Sequence, residues 1–267
     1  MSEKRFELYN EDCLEVLPKL AEQGIKVDMV LTDIPYGTTK CKWDTIIPLN
    51  EMWDCLNNIT YETTPILLFC DEPFSSSLRL SNINDWKYDW LWIKEGASNI
   101  FNAKSRPLKY HENICVFYKK QPKYYPDRIM IPRISRRVEE GQRTGWVGKS
   151  KTSEVTGKPK NGFICDVSTY DKDWKNPSQH IYFSRVKGNS HEKTDHPTQK
   201  PVKLLEHLIK AYTDETDLIL DFTMGSGSTG VACANLNRDF IGIELEPRYY
   251  KIAEQRIKEA NEQRRLI

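Results

Sequence analysis

The stretch DLILDFTMGSGSTGVACANLNRDFIGIELEP, residues 217–247, carries an apolar run, a glycine cluster, a run of small residues, a second apolar run and an acid. Residues 218–222 and 240–243 are apolar runs of strand length, and 228–236 between them reads as a helix. Strand, glycine turn, helix and strand make one βαβ unit, so a mostly parallel sheet flanked by helices is predicted. Gly225, Gly227 and Gly230 spell G-x-G-x-x-G. Such glycines allow a tight turn and bring a ligand against bare backbone. Glu244 ends the second strand, where a carboxylate accepts both hydroxyls of a ribose. These features point to an adenosine-containing ligand.

For a dinucleotide, the helix N-terminus should cradle a pyrophosphate and a second mononucleotide half should follow. That half is missing in the expected place after Glu244. Asp221 ends the strand before the loop, where its charge repels phosphate and suits a ligand bearing an ammonium and a sulfonium. S-adenosylmethionine fits that description better than a nicotinamide dinucleotide.

Upstream, short apolar runs at 6–9, 27–32 and 66–70 alternate with helical spacing at 14–23, 49–58 and 74–80. This is again the rhythm of βαβ units. Residues 86–94 and 113–118, rich in aromatic and β-branched types, read as further strands, with a polar stretch around 98–106 between them. After the prolines at 197 and 201 the pattern resumes with a helix at 202–212, and a charged helix runs from 249 onward. One strand ending stands out. In LTDIPYGTTKCKWD, residues 31–44, an apolar run gives way to Asp33, Ile34, Pro35, Tyr36 and Gly37. A carboxylate, a proline and an aromatic ring in near succession suggest more than a strand terminus.

Residues 119–160 hold twelve basic and four acidic side chains, with Tyr124, Tyr125 and Trp146 interspersed and no sustained period. An inserted, loop-rich region facing phosphates is expected. The whole chain of 267 residues has a formal net charge of only +1, so attraction to a polyanion must come from such clustering. The seven cysteines include no C-x-x-C pair, which suits reduced thiols. His191 and His196 lack the further Cys or His that a tetrahedral metal site needs, so no metal is expected. Without an apolar run of bilayer length or a signal-peptide core, the chain reads as soluble, intracellular and cytoplasmic, with no membrane partner.

Four stretches together resemble one family. DIPYG at 33–37 is similar to the D-P-P-Y signature of amino-methyltransferases that act on exocyclic nitrogens of nucleic-acid bases. DFTMGSGST at 221–229 resembles their F-x-G-x-G motif for S-adenosylmethionine. HPTQKPVKLLEHLI at 196–209 resembles the segment that precedes that motif, and YNEDCLEVLPKL at 9–20 the stretch whose acid reaches the cofactor's adenine. The catalytic motif comes first and the cofactor loop last, the order of the β group of DNA amino-methyltransferases. Ile34 departs from the pattern, replacing its first proline.

The resemblance implies a Rossmann-like α/β fold with a mixed, mainly parallel seven-stranded sheet. Residues 1–118 and 181–267 would form the catalytic domain, in permuted motif order, and 119–180 an inserted target-recognition region. It also implies that the side chain of Asp33 and the carbonyl of Pro35 grip the target amine while Tyr36 stacks on a base drawn out of the duplex. Cofactor contacts would come from Asp12, Thr198, Lys200, Asp221, Phe222, Gly225, Gly227 and Glu244, with Lys200 as counter-ion to the methionine carboxylate. Arg133, Arg136, Arg137, Arg143 and Lys149 would face double-stranded DNA. The implied activity is transfer of a methyl group to adenine N6, because cytosine-N4 members more often carry Ser where Asp33 stands; cytosine N4 is the alternative. Cytosine carbon-5 chemistry needs a Pro-Cys dipeptide, and the sequence has none. A homodimer and a cognate restriction endonuclease are further partners that the resemblance raises.

Overall fold

The structure is a computed structural model that describes residues 6–37, 44–98, 100–132, 174–188 and 190–265. Ten strands and six helices follow in the order β1 Phe6–Tyr9, α1 Cys13–Glu22, β2 Met29–Thr32, α2 Leu49–Ile59, β3 Ile66–Cys70, α3 Phe74–Ser81, β4 Trp86–Ile93, β5 His111–Phe117, β6 Ile131–Pro132, β7 Trp174–Lys175, β8 His180–Tyr182, α4 Val202–Tyr212, β9 Leu218–Asp221, α5 Ser228–Leu236, β10 Asp239–Ile243 and α6 Pro247–Arg265.

Eight strands form one sheet in the order β1-β10-β9-β2-β3-β5-β4-β8. All its pairs are parallel except those of β5 with β3 and with β4. The sheet thus has one strand more than the seven expected. The extra one, β8, is a three-residue edge strand whose HIY sequence is too short to show a period.

Side chains of the parallel strands alternate between two apolar cores, which is why these strands read as continuous apolar runs. Ile66, Leu68 and Cys70 of β3 face Leu17, Leu56 and Phe74 of α1, α2 and α3. Leu67 and Phe69 face the other way, toward the core of Leu205, Cys233 and Ile257 from α4, α5 and α6. Three helices therefore cover each face.

Compactness divides the chain into a unit of residues 1–129 with 178–267, and a second unit of residues 130–177. In the second unit the described strands β6 and β7 pair antiparallel. Residues 119–129 belong to the first unit. There Ile129 is buried, and Tyr125 Oη and Arg128 Nη2 donate to Asp214 at 2.6 and 2.8 Å. Lys123 joins the same carboxylate at 3.0 Å and Lys120 pairs with Glu62 at 2.6 Å. These three basic residues were expected among phosphate-facing ones. They instead pair with carboxylates of the first unit, Asp214 among them, which precedes the amino end of β9.

Candidate active site

Strands β9 and β2 are neighbours, yet the chain leaves β9 toward β10 and leaves β2 toward β3. Such a reversal opens a crevice at the carboxyl ends of the strands, the favoured ligand position of α/β sheets. A cavity of about 1000 Å³ lies there. Permuted motif order is reconciled by this pairing: Asp33 follows β2, Asp221 ends β9, and both stretches line the same cavity.

The carboxylate of Asp33 is held from two sides. Tyr36 Oη donates to its Oδ1 at 2.6 Å, and the ammonium of Lys200 makes a close ion pair with its Oδ2. Thr223 Oγ1 donates to the Asp33 carbonyl at 3.2 Å, linking the strand ending to the glycine loop. Burial, and then the charge of Asp33, raise the Tyr36 phenol well above its ordinary range, so it stays a hydrogen-bond donor. The Tyr36 ring stacks on Phe74 with centroids 5.6 Å apart. The turn that carries it is fixed by Asp44, whose Oδ1 accepts the backbone N–H groups of Tyr36 and Gly37, each at 2.9 Å.

A second layer of charge surrounds Lys200. Glu112 Oε2 lies 3.7 Å from its Nζ, and Lys94 makes a close ion pair with Glu112 Oε1. Burial works against the charged form of Lys200, but Asp33 and Glu112 outweigh it and raise its pKa. Glu112 shows the mirror effect: burial opposes its ionisation, and Lys200 and Lys94 bring its pKa below the usual value. Alternating charges that are largely buried sustain one another in this way. Asp44, Glu112 and Lys94 all line the cavity, and the sequence reading gave none of them a role.

The other half of the cavity is the glycine loop. Gly225 has φ +53°, and its N–H donates to Glu244 Oε2 at 2.8 Å. Glu244 Oε1 accepts from the Glu246 N–H at 2.8 Å, and burial raises the pKa of this carboxyl. Asp221 is buried, with Oδ1 accepting from Thr32 Oγ1 and Oδ2 from Thr229 Oγ1, each at 2.6 Å. Burial moves its pKa up to about 6. Asp12 caps α1, accepting the Leu14 N–H at 2.8 Å, and remains exposed. Asn10 ties the ends of β1 and β10 together by donating to the carbonyls of Glu244 and Leu245 at 2.7 and 3.1 Å. Thr198 is exposed on the rim, and Phe222 is part of the apolar core while also lining the cavity.

The two remaining glycines of the pattern are explained by packing. A Cβ on Gly227, at φ +77°, would come 2.8 Å from the Cα of Ala253 in α6; one on Gly230 would come 2.4 Å from Ile257. Gly227 lets α6 approach the loop, and Gly230 lets it approach α5. Gly225 differs, because its Cβ would project into the cavity wall, 3.0 Å from His196 Nε2. His196 is buried and meets Tyr249 edge-on, ring centroids 4.4 Å apart. Burial, then nearby Lys200, bring its pKa down to about 4.

The structure thus brings Asp12, Asp33, Pro35, Tyr36, Thr198, Lys200, Asp221, Phe222, Gly225 and Glu244 to one cavity, and sets Gly227 beneath it against α6. Arg133, Arg136, Arg137, Arg143 and Lys149 lie outside the described residues. The donor set suits S-adenosylmethionine. The Asp12 and Glu244 carboxylates are acceptors that border the cavity, Phe222 and Leu245 offer an apolar flank, and the glycine loop reaches the cavity wall at Gly225.

Comparison with known proteins agrees. A family model, N6_N4_Mtase, described as DNA methylase, matches residues 27–255. The chain is 40% identical over 259 residues to the Type II methyltransferase M.HpaI of Haemophilus parainfluenzae, covering 92% of this chain and 72% of that protein. A shorter match of 67 residues is 55% identical to the Type II methyltransferase M2.DpnII of Streptococcus pneumoniae, and spans 25% of each chain. Among solved structures, that of an M1.HpyAVI–SAM complex superposes with a TM-score of 0.62 at 25% identity, covering 94% of this chain and 98% of the other. The chain belongs to the N6_N4_Mtase family of DNA methylases, methyltransferases that use S-adenosylmethionine.

Proposed function

We propose that this chain transfers a methyl group to the N6 amine of an adenine flipped out of double-stranded DNA. The observation that carries the reading is the cavity shared by Asp33, Pro35, Tyr36 and the glycine loop. Asp rather than Ser at position 33 favours adenine over cytosine N4.

An exocyclic amine is a poor nucleophile because its lone pair is delocalised into the ring. Two acceptors on its N–H bonds favour a pyramidal nitrogen and free that pair, and here they are the Asp33 carboxylate and the Pro35 carbonyl. Each Asp33 oxygen already accepts one donor, Tyr36 or Lys200, and each retains a second lone pair. Lys200 and Tyr36 thus orient the carboxylate without filling it. Bound S-adenosylmethionine supplies a methyl carbon made electrophilic by its sulfonium. The amine nitrogen forms its bond to that carbon as the carbon–sulfur bond breaks, the electron pair goes to sulfur, and one N–H proton is lost to solvent. The enzyme's task is chiefly positioning and polarisation.

Asp12 and Glu244 are assigned to the cofactor's adenosine, Thr198 and Gly225 to its neighbourhood, and Asp221 to bracing the loop through Thr32 and Thr229. Lys200 is assigned to Asp33, its partner here; the alternative, the cofactor's carboxylate, is decided by ligand affinity. The basic residues from Arg133 to Lys149 are assigned to DNA phosphates, and a cognate endonuclease would cut the same sequence when it is unmethylated. The test is to incubate the protein with labelled S-adenosylmethionine and unmethylated genomic DNA and then analyse the nucleosides. N6-methyladenine is expected; N4-methylcytosine would move the assignment to the other base.

A further inference from the structure

The connection from β4 to β5 leaves the sheet at the same edge as Asp33, because β4 runs parallel to β3 and β2. Its base belongs to the cavity: Lys94 and Ser98 line the wall. Two backbone hydrogen bonds close that base, Lys94 N–H to the Tyr110 carbonyl at 2.7 Å and Ser98 N–H to the Lys109 carbonyl at 2.9 Å. The tip is a single 3-10 turn, Ile100–Asn102, continued by donations from Ser105 and Arg106 N–H to the Asn102 carbonyl at 2.9 and 3.0 Å.

On this braced tip Ile100 is 60% exposed and Phe101 104% exposed. Lys104 and Arg106, four and six residues after Ile100, are exposed as well. Two adjacent solvated apolar side chains on a hydrogen-bonded turn bury little of their surface within the described chain, so they fit a surface that would cover them. The neighbouring cations specify that surface: apolar in the middle and anionic at its margins. Stacked bases between two phosphate strands have this chemistry, and apolar side chains inserted between base steps, with Lys or Arg on the phosphates, are a general way of holding a distorted duplex.

We propose that Phe101 enters the base stack beside the target nucleotide, filling the gap left when that base moves into the cavity, while Lys104 and Arg106 hold the flanking phosphates. The proposal rests on the reading above that the target base leaves the duplex. The ring occupies the vacated place three residues from Ser98 in the cavity wall, and it lowers the cost of holding the stack open.

The test first takes the recognition sequence from genomic DNA methylated by the wild-type protein. Steady-state methylation is then measured on a short duplex of that sequence, with the target base either correctly paired or mispaired. A mispaired base is cheaper to extract. Phe101→Ala is expected to lose roughly ten- to hundredfold in kcat/KM on the paired duplex, the range of one stacking contact, and no more than about threefold on the mispaired one. Phe101→Trp is expected to keep near wild-type activity on both. Equal activity of Phe101→Ala and wild type on the paired duplex would overturn the proposal, and so would an equal deficit on both duplexes. Wild-type protein that methylates no DNA would instead overturn the underlying reading.

Discussion

Asp44 gives the most direct link between a local hydrogen-bond pattern and the chemistry of the cavity. One of its oxygens accepts two consecutive backbone N–H groups, those of Tyr36 and Gly37, at 2.9 Å each. These bonds set the peptide that joins Pro35 to Tyr36, and so the direction of the Pro35 carbonyl and the ring. A hydrogen bond to a charged group contributes about 1.5–3 kcal/mol, so two make roughly 3–6 kcal/mol. Water in the adjoining cavity can take up the freed N–H groups, which lowers the net loss to roughly 2–4 kcal/mol. At about 1.4 kcal/mol per tenfold, loosening worth half of that removes about five- to thirtyfold in kcat for Asp44→Ala. Asp44→Asn keeps an oxygen that accepts both bonds, and should stay within about fivefold of wild type. The assay is single-turnover methyl transfer at saturating cofactor, with cofactor affinity measured separately by calorimetry and expected to be unchanged. Full kcat in Asp44→Ala would refute the positioning role. A deficit in Asp44→Asn as large as in Asp44→Ala would show that charge matters, not the two hydrogen bonds.

Lys200→Met should lower kcat at least tenfold while changing cofactor affinity by no more than about threefold, because its ammonium sits on Asp33; the opposite split would assign it to the cofactor. Gly227→Ala should cost about 2–5 kcal/mol in a urea melt, about 1–2 from the left-handed backbone and the rest from α6, whose Ala253 Cα lies 2.8 Å from the added Cβ. Gly24→Ala, at φ +74° with nothing within 4 Å of the added Cβ, should show only the backbone part. His196, with its pKa depressed to about 4 by burial, binds its proton more weakly folded than unfolded. Its contribution is therefore full above about pH 6.5 and lost as pH falls through about 4, roughly 3 kcal/mol across that window. Urea midpoints followed from pH 7 to pH 4 should fall less steeply in His196→Gln than in wild type, and an unchanged slope would contradict this reading.

Much of the fold was legible because the parallel strands are buried on both faces and so stand out as short apolar runs. The segment 66–70 and the unit 218–243 are the plainest cases, and their glycines and terminal acids located the crevice. What stayed hidden was non-local pairing. The role of Asp44 depends on its meeting the backbone N–H groups of Tyr36 and Gly37, eight and seven residues earlier. Glu112 and Lys94 come from opposite ends of the β4–β5 connection and meet only once those strands pair. Asp221 and Glu244 were read as ligand groups, yet much of their capacity goes to bracing the loop through Thr32, Thr229 and Gly225. Two of the three glycines serve the packing of α6, a contact that spacing in a motif cannot express. Arg128 and Lys123 looked like part of a phosphate-facing run, but Asp214, 86 and 91 residues away, holds both.

Asp33, beside the glycine loop, is proposed to grip the amine of an adenine. The most direct test of that role is nucleoside analysis of unmethylated genomic DNA after incubation with S-adenosylmethionine and either wild-type protein or Asp33→Ala. N6-methyladenine is expected from the wild type and at least a hundredfold less from the variant, with cofactor binding retained. Methyl transfer by Asp33→Ala at the wild-type rate, or no methylated base from either protein, would contradict it.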